Sequence, residues 1–433
     1  MRQAIAYRHD DTMTRARRVG LLAAFCLLSL LGASLLPVKA AKAEQVFNPW
    51  EQNWVDPWQS DVEARPAEQP VSQSTLPTLG DSGFWPLLRA MSMYEQIEEW
   101  GGWASVPDGE KIEPGDRDTR IPLIRQRLVA TGDLSISDGD PNVYDARLEK
   151  AVKRFQTRHG LAPDGIVGHR SIKAMNVPVS QRIKQIAINI KRLNKLAPKL
   201  GRRYVFVNIA GQEVEAVSDG KVDLRRRVIV GKQDRQTPEY TSKITFVALN
   251  PYWNVPQSIA RRDLIPKAAR DPGYFKRMGI RVFNGYGGRE VSPYSVDWTS
   301  PSATRYFLRQ DPSRRNSLGT VKIHFPNPHA VYLHDTPSKS LFWRSSRAYS
   351  SGCVRVEHVH DLSAWLLSET PGWDRARIDN VIDKTHERLD VTLQKSVPVY
   401  MLYLTSWVDG DGLLNFRDDI YSIDKKTRTT SLR

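Results

Sequence analysis

The apolar residues change period near residue 203, and this shift limits the fold more than any other feature of the chain. Before it, Leu148, Ala151, Val152 and Phe155 recur at i, i+3, i+4 and i+7, and Ile183, Ile186, Ile190 and Leu193 share one helical face. After it, Tyr204 to Ile209, Val214 to Val217, Val222 to Val230 and Ile244 to Leu249 read as strands. Asp219-Gly220 between two of these runs marks a hairpin. Further strands are expected at Val321 to Phe325, Ala330 to Leu333 and Val397 to Leu404. The fold class expected is α+β and multidomain: a helical part, then a mostly antiparallel sheet domain. A chain of 433 residues has the length for two or three domains.

The N-terminal residues set the compartment. Arg15, Arg17 and Arg18 precede an apolar run, Val19 to Leu36, and Ala41-Lys42-Ala43 supplies small residues for cleavage. This is an export-signal pattern over 1–43. The run is long for a signal core, so an uncleaved membrane anchor through 19–36 is the alternative. The expected location is the periplasm, or its inner-membrane face if the leader is retained. Removing 1–43 takes seven of 63 basic and two of 48 acidic residues, leaving 56 against 46, a net +10. Such a surface favours polyanions such as wall polymers or membranes. No basic helix, zinc finger or RNA-type sheet signature accompanies it, so nucleic acid is not an expected partner.

Five prolines lie in 44–80, and the stretch 44–83 reads as a linker with order beginning near Phe84. Residues 84–200 read as a helical scaffold. Within it, Asp145 can cap one helix, Gly160 can end it, a short helix follows at Ser171 to Met175, and Ser180 can cap a third. The segment 250–319 is long, aromatic and punctuated, with a helix over Ser258 to Arg270 divided by Pro266. An insertion of this size in a sheet domain is a subdomain or a lid. The sheet domain is expected over 203–385, followed by an extension over 386–433.

Loss of the leader, which holds Cys26, leaves Cys353 as the lone cysteine, unable to form an intrachain disulfide. It follows Ser351-Gly352 in a polar turn, and His334 ends the strand Val331-Tyr332-Leu333. Thiol and imidazole at one sheet edge make a nucleophile and its general base and acid. Gly352 allows close backbone approach, and N–H groups around Gly352 and Cys353 can hold an oxyanion. Arg355 can steady a thiolate or grip a carboxylate, and either Asp335 or a backbone carbonyl can orient His334. The competing reading is zinc, since His324, His329, His334, His358 and His360 crowd one region. None forms a two-His helical zinc motif, so neither metal nor cofactor is expected.

From Phe84 onward the chain resembles the large L,D-transpeptidases of Gram-negative bacteria, the YcbB-like branch with a YkuD-type catalytic domain. The resemblance rests on His334-Asp335-Thr336-Pro337-Ser338-Lys339-Ser340-Leu341-Phe342 and Ser351-Gly352-Cys353-Val354-Arg355. It implies that Cys353 is the nucleophile, that His334 is the base, and that Gly352 and the adjoining backbone shape the oxyanion site. The wider family has His directly before Gly-Cys, where this chain has Ser351; Ser313 stands where the branch often has Gly. The segment about 142–178 resembles a small peptidoglycan-binding module through Ala151-Val152-x-x-Phe155-Gln156, Arg158-His159-Gly160-Leu161 and Asp164-Gly165-x-Val167-Gly168.

The resemblance also implies that 250–319 caps the catalytic groove, with Tyr252, Trp253 and Tyr286 as candidate groove residues. The implied reaction forms 3→3 cross-links between peptidoglycan stem peptides through a thioester, with glycan and wall-synthesis proteins as partners and carbapenems as inhibitors. The alternatives are an L,D-carboxypeptidase and a non-catalytic wall-binding protein.

Overall fold

The computed structural model describes residues 71–136, 139–195 and 200–430. The export signal, the anchor alternative through 19–36 and the linker as far as residue 70 lie outside the described residues. No helix among the described residues is long and apolar enough to cross a membrane.

Five helices come first: α1 (Asp81–Glu99), α2 (Ile121–Ala130), α3 (Ala146–Arg158), α4 (His169–Met175) and α5 (Val179–Asn194). Asp145 caps α3 by accepting from the Leu148 N–H at 2.8 Å. The α3 stripe Leu148, Ala151, Val152 and Phe155 is buried with Ile121, Ile124 and Leu128 of α2 and Ile172 and Met175 of α4. These residues form a core of their own. Helix α5 begins at Val179 after Pro178, so Ser180 lies inside it rather than capping it. Together with α1, α5 packs elsewhere: Leu87, Tyr94, Ile186 and Leu193 share a cluster with Tyr204, Phe206 and Tyr400 of the sheet.

The sheet strands are β1 (Arg203–Asn208), β2 (Glu213–Ser218), β3 (Lys221–Gly231) and β4 (Tyr240–Leu249). Inserted after them are β5 (Trp253–Asn254), β6 (Ile280–Phe283), β7 (Glu290–Val291) and β8 (Phe307–Gln310). The main sheet resumes with β9 (Val321–His324), β10 (Leu333–His334), β11 (Ala348–Ser350), β12 (Val354–Val356) and β13 (Leu389–Leu402). Asp219 and Gly220 both have positive φ, which bends the β2–β3 hairpin. The main sheet runs β11-β3-β12-β10-β9-β4-β13-β1-β2, and β2 also pairs with β3, so it closes on itself. Most pairings are antiparallel; β1–β13, β10–β12 and β11–β3 are parallel.

Two expectations are corrected here. The strand expected over Ala330 to Leu333 shrinks to Leu333–His334, because Ala330 takes a positive φ and turns the chain. The longest strand, β13, lies between β4 and β1, so the sheet runs past the boundary expected at 385. A sequence boundary drawn at a polar turn cannot show that the chain returns to a central sheet position.

The inserted lobe has a four-stranded sheet, β5-β8-β6-β7. Its helical part is α6 (Gln257–Ile259), a π-helical stretch Ala260–Leu264, α7 (Ile265–Arg270) and α8 (Tyr274–Arg277). Pro266 sits in the first turn of α7, where its missing N–H leaves no orphan. The lobe has its own core, including Trp253, Leu264, Phe275, Val282, Trp298 and Leu308.

After the nucleophile turn come α9 (Val359–Leu367) and α10 (Arg375–Lys384), whose Leu362, Leu366, Ile378 and Ile382 cover the main core. The hairpin β14 (Ser406–Val408) and β15 (Leu414–Phe416) and helix α11 (Ile423–Thr430) complete the described chain. Gln185 of α5 donates to the carbonyls of Thr405 at 2.9 Å and Arg417 at 3.0 Å, joining helices to hairpin.

Residues 71–80 are not linker. Buried Arg225 of β3 donates to the carbonyls of Ser72, Ser74 and Leu76, and Glu215 of β2 accepts from the N–H and hydroxyl of Thr78. Order begins before Phe84 because carbonyls and a buried ion pair, rather than apolar side chains, hold this strap.

Candidate active site

Side chains alternate faces along a strand. Ile323, Leu333 and Val354 are fully buried in the main core, so their neighbours point the other way. The register then aligns Asp390, Ala248, Lys322, His334 and Arg355 as one row across β13, β4, β9, β10 and β12. Cys353 and Tyr332 precede Arg355 and His334 by two residues each, and so share that face. The parallel β10–β12 pairing sets His334 opposite Arg355, with Cys353 one residue before β12 and its sulfur 3.9 Å from the Ala330 carbonyl.

The turn before the thiol is tightly held. Ser350 Oγ donates to the Cys353 carbonyl at 2.5 Å and accepts from the Gly352 N–H at 3.1 Å. Gly352 has φ +114°, a conformation that L side chains rarely adopt. Thr237 Oγ1 donates to the Gly352 carbonyl at 2.9 Å, and Tyr421 Oη donates to the Gly231 carbonyl at 2.6 Å. Gly352 therefore shapes the turn, and its N–H is already engaged rather than aimed at an oxyanion.

The electrostatics of the pair are those of two neutral groups. The His334 ring is buried, with Nδ1 2.5 Å from the Asp335 carbonyl. A carbonyl accepts only, so Nδ1 carries the proton and Nε2 is the basic atom of the neutral ring. Burial, helped by the Arg355 guanidinium, brings the ring down to about 3, against the pull of the Asp335 and Leu318 carbonyls. Burial also pushes the Cys353 thiol up, opposed by the Tyr332 N–H and hydroxyl and the charges of Lys322 and Arg355. Such a pair moves its proton as the sulfur attacks, without storing a thiolate beforehand.

Tyr332 and Lys322 escape a reading that stops at the His and Cys motifs. Burial, and after it the neighbouring Cys353 sulfur, push the Tyr332 hydroxyl well above its ordinary value. Strand alternation from His334 is the signal that would have found it. Lys322 Nζ lies 4.3 Å from the centroid of the Tyr332 ring.

The remaining expected residues divide. Ser351 Oγ accepts from Arg235 at 3.0 Å, and Arg235 is clamped to Asp263 of the lobe at 2.5 and 2.9 Å. Ser351 thus ties the turn to the lobe. The Asp335 carboxylate does not orient His334; its backbone carbonyl does. The carboxylate instead accepts from Thr320 N and Oγ1 and pairs with Lys339. Burial alone would raise it, but Lys339 and these hydrogen bonds bring it below the usual carboxylate range. Gly319 has positive φ and leaves no room for a Cβ beside that carboxylate.

Arg355 reaches Thr336 Oγ1 at 3.5 Å. Trp253 belongs to the lobe core, against which Tyr332 packs. Tyr252 stacks under Arg309. Tyr286 is 87% exposed and packs edge-on against Phe307 of the lobe sheet.

The histidines behind the zinc alternative have separate surroundings. His324 stacks on Phe246, His329 meets Tyr240 edge-on, and His360 bridges Thr320 and Asp379. Among the described residues no three His, Cys, Asp or Glu side chains group as metal ligands.

A family model described as the L,D-transpeptidase catalytic domain matches residues 202–378, and one described as "Putative peptidoglycan binding domain" matches 117–175. The chain is 34% identical over 255 residues to a Haemophilus influenzae protein named "Putative L,D-transpeptidase", covering 58% of this chain and 51% of that protein. It thus spans about half the length of that curated relative. It is 36% identical over 76 residues to the Mycobacterium tuberculosis N-acetylmuramoyl-L-alanine amidase CwlM, covering 16% of this chain and 19% of that one. Similar solved structures include an L,D-transpeptidase from Xylanimonas cellulosilytica (16% identity, TM-score 0.23, 68% of this chain and 99% of that one). Another is from Stackebrandtia nassauensis (14% identity, TM-score 0.26, 69% of this chain and 97% of that one).

Proposed function

Because the chain carries an L,D-transpeptidase catalytic domain over 202–378 and a peptidoglycan-binding domain over 117–175, we propose that it is a cysteine acyltransferase forming 3→3 cross-links between peptidoglycan stems. The observation that carries this reading is the shared face of Cys353, Tyr332 and His334 above a pinned turn. The donor is a tetrapeptide stem. The Cys353 sulfur attacks the carbonyl of the third residue while its proton passes to His334 Nε2. The carbon–nitrogen bond breaks, and the imidazolium returns that proton to the departing D-alanine amine.

A thioester remains. The side-chain amine of diaminopimelate on a second stem attacks it and loses a proton to the ring, and the sulfur leaves as the new amide forms. The Tyr332 hydroxyl and the Cys353 N–H flank the sulfur and serve the oxyanion. The lobe, joined to the turn through Ser351, Arg235 and Asp263, shields the thioester from water. On the strength of the leader pattern, we place the protein outside the cytoplasmic membrane.

The test is incubation with disaccharide-tetrapeptide, followed by mass spectrometry of protein and products. A thioester mass on Cys353 and cross-linked dimers are expected. Trimmed monomers without dimers would mark a carboxypeptidase. Unchanged tetrapeptide and no thioester mass would leave a wall-binding protein.

A further inference from the structure

The catalytic face holds a cation without an ion-pair partner among the described residues. Lys322 is partly buried on β9, directly across from His334 on one side and Ala248 on the other. Three other cations of this domain pair with carboxylates, Arg225 with Glu215, Arg227 with Glu357 and Arg235 with Asp263, while buried Arg347 donates to the carbonyls of Val228, Arg344 and Gln212. Asp390, two strands away in the same row, is held by Arg388, whose Nε lies 2.8 Å from it. A desolvated ammonium with no counter-charge is costly, and proteins keep such groups where a ligand supplies the anion. Burial and the neighbouring Arg388 charge both lower the Lys322 ammonium, which an arriving carboxylate would reverse.

Position identifies the anion. The Lys322 ammonium rests over the Tyr332 ring, two residues before His334, and lies near enough to Cys353 for its charge to act on the thiol. On a donor peptide cut before its last residue, the free α-carboxylate lies three bonds from the carbonyl carbon that the sulfur attacks, within about 4 Å. That carboxylate must therefore settle beside Cys353 whenever attack occurs. Arg355, the other cation in the row, is on the Cys353 strand and already reaches Thr336.

We propose that Lys322 is a specificity-determining residue that receives the C-terminal carboxylate of the donor stem, so that only a stem with one free residue beyond the scissile bond is used. This assignment rests on the acyl-transfer reading above. The carboxylate leaves with the departing residue. The row then loses its bound anion, and the site favours exchange of the leaving group for a new amine.

The experiment compares two donors with the full chain: disaccharide-tetrapeptide, and the same molecule with a C-terminal carboxamide. The readout is the ratio of kcat/KM for thioester formation. The wild type is expected to prefer the free acid about 100-fold, or about 2.8 kcal/mol. Lys322→Met should bring the ratio close to one, and Lys322→Arg should keep part of it. Alkylation of Cys353 by neutral iodoacetamide checks that each variant keeps an accessible thiol. Equal use of both donors by wild type overturns the assignment even if Lys322→Met does not fold. So does an undiminished ratio in Lys322→Met, or collapse of the ratio in Arg355→Gln alone. Absence of a thioester with either donor counts instead against the acyl-transfer reading.

Discussion

His334 and Arg355 stand directly opposite each other on parallel strands β10 and β12, so a permanent cation shares a face with the imidazole. Burial first, and this cation after it, keep the base neutral near a thiol that burial keeps protonated. This arrangement sets the pH behaviour of the free protein.

With the ring at about 3 and the thiol above its ordinary 9.0, neither group titrates near neutrality. The rate of Cys353 alkylation by iodoacetamide should therefore rise in a single step at alkaline pH. A preformed thiolate–imidazolium pair would instead give a plateau starting at about pH 4 to 5. The rate profile between about pH 4 and 10 decides between them.

Removing the opposing charge moves both groups upward. In Arg355→Gln the ring should titrate above about 3, since a cation beside it is gone, and the thiol should rise further, since a stabilising charge for the thiolate is lost. Ring titration by NMR and the alkylation profile report the two shifts separately. Unchanged values in both would show that burial alone sets them.

Tyr332→Phe keeps the ring under Lys322 and deletes only the hydroxyl, whose neighbour Cys353 helps push it up. Acylation by a carbapenem-type β-lactam, read as a covalent mass adduct, should slow by about 100- to 1000-fold, the range for losing one oxyanion donor. Thermal unfolding should change little. Cys353→Ala should give no adduct.

Asp263→Asn breaks the clamp between the lobe and Arg235. Both partners are largely buried, so the loss should cost about 1–3 kcal/mol and loosen the lobe. If the lobe keeps water from the thioester, hydrolysis should gain on transfer. A product ratio equal to wild type would remove any shielding role for this contact.

Much of this architecture can be read from residue order. The α3 stripe, the Asp219-Gly220 hairpin and the early strands depend on local periodicity, and each falls where the pattern places it. The inserted lobe was visible as a long aromatic segment because it needs enough apolar residues for a core of its own. What stayed hidden depends on register between distant segments. Nothing local pairs Ala248 with Lys322, or seats β13 beside β1. Tyr332 read as a strand residue because its role comes from the strand that lands next to it. The strap at 71–80 reads as linker from its composition, because the buried Arg225 that holds its carbonyls leaves no mark there.

The thiol's turn is finished by a residue far downstream. Tyr421 supports the Gly231 carbonyl, and Thr237 passes that support to Gly352. A chain cut short of Tyr421 keeps both Cys353 and His334, yet its nucleophile rests on an unbraced loop. The last turns of the chain are therefore part of the nucleophile's support, although they lie far from it in sequence.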